Sequence, residues 1–140
     1  ERHVENAAAI AAFLERHPAV AGVNYASLDS SPSKGAAERY APKGVGAVLS
    51  FELVGGVAAG RAFVESLQLF SHLANIGDVR SLVIHPASTT HSQRTPEQQL
   101  TTGVTPGLVR LSVGIEHVDD LIADLSAGLE AVQATNREAA

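Results

Sequence analysis

Between residues 108 and 116 apolar Val109, Leu111, Val113 and Ile115 alternate with Leu108, Arg110, Ser112, Gly114 and Glu116. A period of two predicts a β-strand with one apolar and one largely polar face. Ala47, Leu49, Phe51 and Leu53 repeat the pattern against Val48, Ser50, Glu52 and Val54, and Gly55-Gly56 closes that strand. Val20 to Tyr25 reads as a first strand, and the all-apolar run Leu82-Val83-Ile84 as a buried one ended by His85-Pro86. Elsewhere the spacing is helical. Val4, Ala7, Ala8, Ala11 and Leu14 form a stripe over residues 1–16, stopped by His17-Pro18. Phe63, Leu67, Phe70 and Ala74, with Val64 and Leu73 at the edges, predict a helix over about residues 58–75, with Gly77 as its stop. Val118, Leu121, Ile122, Leu125, Leu129 and Val132 predict a last helix from His117 to Gln133, with residues 134–140 frayed. Asp119 and Asp120 fall in its first turn, where the helix dipole favours negative charge.

Two connections separate these elements. Residues 27–44 are rich in Ser, Pro, Lys, Gly and Ala and read as a loop with one helical turn near Ala36–Tyr40. Residues 86–107 form a polar connection longer than an ordinary loop, and such connections are often functional. Inside it Thr95-Pro96-Glu97-Gln98 is a helix start: Thr95 caps, Pro96 suits the first helical position and Gln98 completes a capping box. Gly103 ends that helix and Pro106-Gly107 turns into the Arg110 strand. The order of elements predicts an α/β fold, one sheet of about four strands covered by helices on one face.

The 140 residues suit one domain, and 45% hydrophobic content supplies its core. A net charge of −5 and the lack of a basic patch argue against nucleic acid as a partner. No apolar run reaches the roughly 20 residues of a membrane span. Cysteine is absent, which excludes disulfides and thiolate metal sites and fits a cytoplasmic protein. Methionine is absent too, and the chain opens on Glu1-Arg2 inside a helical pattern. We expect a domain cut from a longer chain.

Arg110 is the leading candidate for chemistry. A permanent cation in mid-strand needs an anion, and its planar fork suits a carboxylate held by two parallel hydrogen bonds. That anion is either an acidic side chain of the same protein or a ligand. The six histidines show no zinc spacing, so no metal is expected, and His85 and His91 read as loop residues bonding to backbone or lining a ligand. Ser81, Ser88, Thr89, Thr90 and His91 supply hydroxyls and an imidazole that either line a polar pocket or cap turns. No nucleophile elbow or phosphate loop is present.

Two long motifs carry a resemblance. GDVRSLVIHPASTTHSQ (77–93) and GVTPGLVRLSVGIEHVDDLIADL (103–125) resemble the C-terminal domain of the Cys/Met-metabolism family of pyridoxal-phosphate enzymes. ERHVENA (1–7), VLSFELVGG (48–56) and FVESLQLFSHLANIGD (63–78) resemble the same domain, so only 27–44 lacks a family pattern. The resemblance implies the small domain of the fold-type I, aspartate aminotransferase-like fold. Thr89 and Arg80 resemble the O-acetylhomoserine sulfhydrylase branch, whose members exchange acetate for sulfide on O-acetylhomoserine to give homocysteine. By the same resemblance Arg110 binds the substrate α-carboxylate, Ser81 lies beside it and Thr90 borders the substrate channel.

The family's cofactor lysine and other pyridoxal-phosphate contacts lie in a large domain upstream, and neither Lys34 nor Lys43 matches the lysine motif. The resemblance therefore implies a fragment with no catalytic residue or cofactor contact of its own, inactive alone, from an enzyme that is typically a homotetramer. Cystathionine γ-synthase, the γ-lyases, a free-standing amino-acid-sensing domain and a dimerisation module are the alternatives.

Overall fold

The computed structural model describes residues 1–140 as one α/β layer pair. Five α-helices run over Arg2–Glu15 (α1), Lys34–Tyr40 (α2), Gly56–Ser66 (α3), Pro96–Thr101 (α4) and Val118–Glu138 (α5). The strands are Val20–Asn24 (β1), Val48–Leu53 (β2), Ser71–His72 (β3), Leu82–Ile84 (β4) and Leu108–Ser112 (β5), and Pro86–Ser88 forms a 3-10 turn. They make one mixed sheet in the order β1-β2-β5-β4-β3, antiparallel except between β3 and β4. The expected sheet thus gains a fifth, two-residue strand.

The alternation read from the sequence divides the two faces. Leu49, Phe51 and Leu53 of β2, Val83 of β4 and Val109 and Leu111 of β5 turn into the core with Ile10, Leu14, Phe63, Leu121, Leu125 and Leu129 from α1, α3 and α5. Phe51 and Phe63 meet edge to face at 5.5 Å, the arrangement the ring quadrupoles favour. The opposite face carries Ser50 and Glu52 of β2 and Arg110 and Ser112 of β5, in register as Ser50 opposite Arg110 and Glu52 opposite Leu108. No helix is long and apolar enough to cross a membrane.

Two helix boundaries differ from the spacing. The expected helix over 58–75 ends at Ser66, and Leu67 is extended. Asp124 of α5 draws the chain out: its carboxylate accepts the backbone N–H groups of Gln68, Leu69 and Phe70 at 2.8, 2.9 and 3.1 Å. Residues 71–72 then pair with β4. Phe70 keeps its place in the core, whereas Leu73 is exposed. Replacing Asp124 by alanine strands three donors, and we expect a loss of about 2 kcal/mol, reduced by the site's partial exposure. Denaturant unfolding measures it, and an unchanged midpoint would remove Asp124 as the cause of the break. The last helix, in turn, does not fray at Gln133. It runs to Glu138 because Asn136 donates to the Val54 carbonyl at 2.8 Å and ties its end to the turn after β2.

Candidate functional site

The polar face of the sheet is roofed by the connection after β4. His85 anchors this roof. Its ring is fully buried, with Nε2 2.7 Å from the Pro106 carbonyl and Nδ1 2.8 Å from the Ser88 hydroxyl. A carbonyl oxygen only accepts, so Nε2 carries a proton. Ser88 and Thr89 bond back to His85, by ring and carbonyl, and cap the turn. Gln99 donates to the carbonyls of Ala87 and His91 and pins α4 beneath the loop. The capping box expected at Thr95 and Gln98 forms in both directions.

Between roof and sheet lies a cavity of about 630 Å³. Arg110 and Ser50 rise from its floor, Thr90 and His91 hang from the roof, and Asn24 and Tyr25 close the side beyond β1. Its volume is in the range of small-molecule sites. Arg110 is half-buried there and makes no ion pair: the four ion pairs of the protein lie elsewhere, and its terminal nitrogen donates only to the Asn75 carbonyl at 3.3 Å. Of the two anions the sequence left open for Arg110, a side chain of its own chain is not found.

The structure brings Arg110 and Thr90 to one cavity and places Ser81 outside its lining. Ser81 is fully buried, donating its N–H and O–H to the two carboxylate oxygens of Glu116 at 2.6 and 2.9 Å. Of the hydroxyl and imidazole cluster, Ser88 and Thr89 cap the turn, while Thr90 bonds His91 Nδ1 at 2.9 Å. Asn24, Tyr25, Ser50 and Thr102 are polar cavity residues that sequence reasoning missed. For Ser50 the signal was present, because strand alternation puts it on the polar face of its strand. Nothing local marks Asn24 or Tyr25.

The Tyr25 hydroxyl donates to the Gly46 carbonyl at 2.8 Å, and burial pushes its pKa above the usual tyrosine value. A pKa raised on folding adds stability that is complete below the unfolded value of about 10 and disappears as pH rises through the folded value. Tyr25→Phe should cost about 1 kcal/mol at neutral pH and remove this part of the alkaline loss. Unfolding midpoints at neutral and strongly alkaline pH test it; an equal alkaline loss in both proteins would contradict the assignment.

Neither lysine lines the cavity: Lys34 bonds Asp29 at the start of α2, and Lys43 lies in the loop after that helix. The cavity therefore offers a cation and hydroxyls to an anionic ligand, and no lysine amine.

Residues 1–130 match the family described as Cys/Met metabolism PLP-dependent enzyme. The chain is 50% identical over 131 residues to the O-acetyl-L-homoserine sulfhydrylase of Leptospira meyeri, covering 93% of this chain and 30% of that protein. It is 54% identical over 129 residues to O-acetyl-L-homoserine sulfhydrylase 1 of Thermus thermophilus, covering 92% and 31%. The crystal structure of cystathionine gamma synthase from Xanthomonas oryzae pv. oryzae, in complex with aminoacrylate and cysteine, superposes with a TM-score of 0.87 at 47% identity, covering 96% of this chain and 34% of that one. The chain thus spans about a third of the length of these relatives.

Proposed function

Because the chain belongs to the Cys/Met-metabolism family of PLP-dependent enzymes, we propose that it is the C-terminal, carboxylate-binding domain of an O-acetylhomoserine sulfhydrylase. The observation that carries the reading is Arg110, a half-buried cation without an acidic partner on the floor of a cavity large enough for a small molecule. Arg110 holds the substrate α-carboxylate with paired charge-assisted hydrogen bonds. Thr90 borders the same space from the roof and faces the reacting side chain. The Asn75 carbonyl fixes one guanidinium edge and leaves the remaining donors for the ligand.

Pyridoxal phosphate, held by the rest of the enzyme, supplies an electron sink for exchange at the γ-carbon. Arg110 contributes orientation, which sets the Cα–H bond against the groups that move its proton. On this reading the chain is inactive alone, and the full enzyme is a homotetramer acting on O-acetylhomoserine and sulfide.

The test is the full-length enzyme with pyridoxal phosphate, given O-acetylhomoserine and sulfide, with homocysteine and acetate as the readout. Homocysteine formed faster than a 2-oxo acid is released from methionine supports the sulfhydrylase. The reverse order assigns the chain to the γ-lyases. Reaction with cysteine in preference to sulfide assigns it to cystathionine γ-synthase, the second reading, favoured by the 47% identity to the Xanthomonas enzyme.

A further inference from the structure

We propose that Glu116 is a positioning residue for Arg110, acting through Ser81 and the segment 73–81. The inference rests on the carboxylate-site reading of Arg110. Glu116 makes no ion pair. Its two carboxylate oxygens take both donors of one residue, the N–H and the O–H of Ser81. The Ser81 oxygen then accepts the Gly114 N–H at 2.8 Å. A serine hydroxyl has a single proton to give. Given to Glu116, it is not available to a substrate carboxylate, so Ser81 serves the site by holding the backbone.

The backbones meet at Gly114. A Cβ there would stand 2.4 Å from Val79 O and 2.6 Å from Arg80 C, so only glycine lets the two chains pass. Ile115 N–H adds a bond to Val79 O at 2.9 Å. From the far side α1 braces the same segment: the buried Asn6 amide donates to the carbonyls of Gly114 and Glu116 at 3.1 and 2.9 Å. His3 Nδ1 lies 2.7 Å from Val113 O. The stretch after β5 is thereby rigid, and Glu116 projects from it.

The segment being held is largely exposed: residues 73–77, 79 and 80 lie at the surface, with no core beneath them to fix their path. Hydrogen bonds do so instead. Ser81 on Glu116 fixes its end, Gly77 N–H on Ser112 Oγ its middle at 3.3 Å, and Asn75 O then meets Arg110. Loss of the Glu116 carboxylate frees the end of the segment and with it the carbonyl that sets the guanidinium.

The experiment uses the full-length enzyme loaded with pyridoxal phosphate, in wild-type, Glu116→Ala, Glu116→Gln, Ser81→Ala, Arg110→Ala and Glu116→Ala/Ser81→Ala forms. Glu116→Ala should raise KM for the amino-acid substrate about tenfold to a hundredfold, with kcat and cofactor absorbance changed much less. Glu116→Gln keeps an acceptor for the Ser81 N–H and should recover most of the loss. The double variant should be no worse than Glu116→Ala, because both remove one linkage. An unchanged KM in Glu116→Ala overturns the proposal. So does a fall in kcat with KM unchanged. If Glu116→Ala does not fold, a Glu116→Asp variant, one methylene short of both Ser81 donors, decides: a KM raised severalfold supports the proposal and a wild-type KM overturns it. An unaltered KM in Arg110→Ala sinks the carboxylate-site reading itself, which the Glu116 variants alone would not do.

Discussion

Arg110→Ala in the full-length enzyme should raise KM for the amino-acid substrate by about two to three orders of magnitude and leave cofactor absorbance intact. Truncating one member of a desolvated charge pair costs about 2–5 kcal/mol, and each 1.4 kcal/mol is tenfold. Arg110 meets these conditions: it is half-buried, lines the cavity and has a single backbone carbonyl as partner. Arg110→Lys should recover little, since an ammonium cannot reproduce the planar fork. Steady-state kinetics with a spectrum of each variant give the answer. A wild-type KM in Arg110→Ala would reduce the residue to a strut for the 73–81 segment.

Gly60→Ala should destabilise the protein by about 2–4 kcal/mol, against the sign that helix propensity predicts. In an exposed helix interior alanine is better than glycine by about 1 kcal/mol. Gly60 lies inside α3, but its Cβ would stand 2.3 Å from His85 Nε2 and 2.4 Å from its Cδ2. His85 has nowhere to go, being fully buried and bonded at both ring nitrogens. Relief means an overpacked helix, at about 1–3 kcal/mol, or a lost bond to Pro106 O, at about the same cost. Because His85 anchors the roof that carries Thr90, the variant should also raise KM in the folded fraction. Denaturant unfolding settles the stability, and any gain in stability would show that the helix and the His85 ring are further apart than described.

The motifs of 77–93 and 103–125 carried the family and the role expected of Arg110, and residues 1–130 match that family. Strand alternation put Arg110 on the polar face of its strand and Ser50 on the polar face of another, and the pairing of β2 with β5 sets the two residues opposite each other. Alternation was silent on Glu116 and Ser81, which lie 35 positions apart in the chain and meet only when β4 and β5 pair. The boundaries of α3 and α5 escaped for the same reason.

What the sequence determined by itself is therefore what repeats locally: strand faces, helical stripes, the capping box at Thr95 and the polar side of β5. Each follows from a backbone period acting over a few residues. Tertiary structure alone decided where helices stop, which hydroxyls remain free for a ligand and which glycines are irreplaceable. Asp124 reaches across from α5 to end α3, Glu116 consumes the Ser81 hydroxyl, and His85 fills the space a side chain at Gly60 would need. Hydrogen bonds and steric exclusion act between groups distant in sequence, so a local pattern does not contain them.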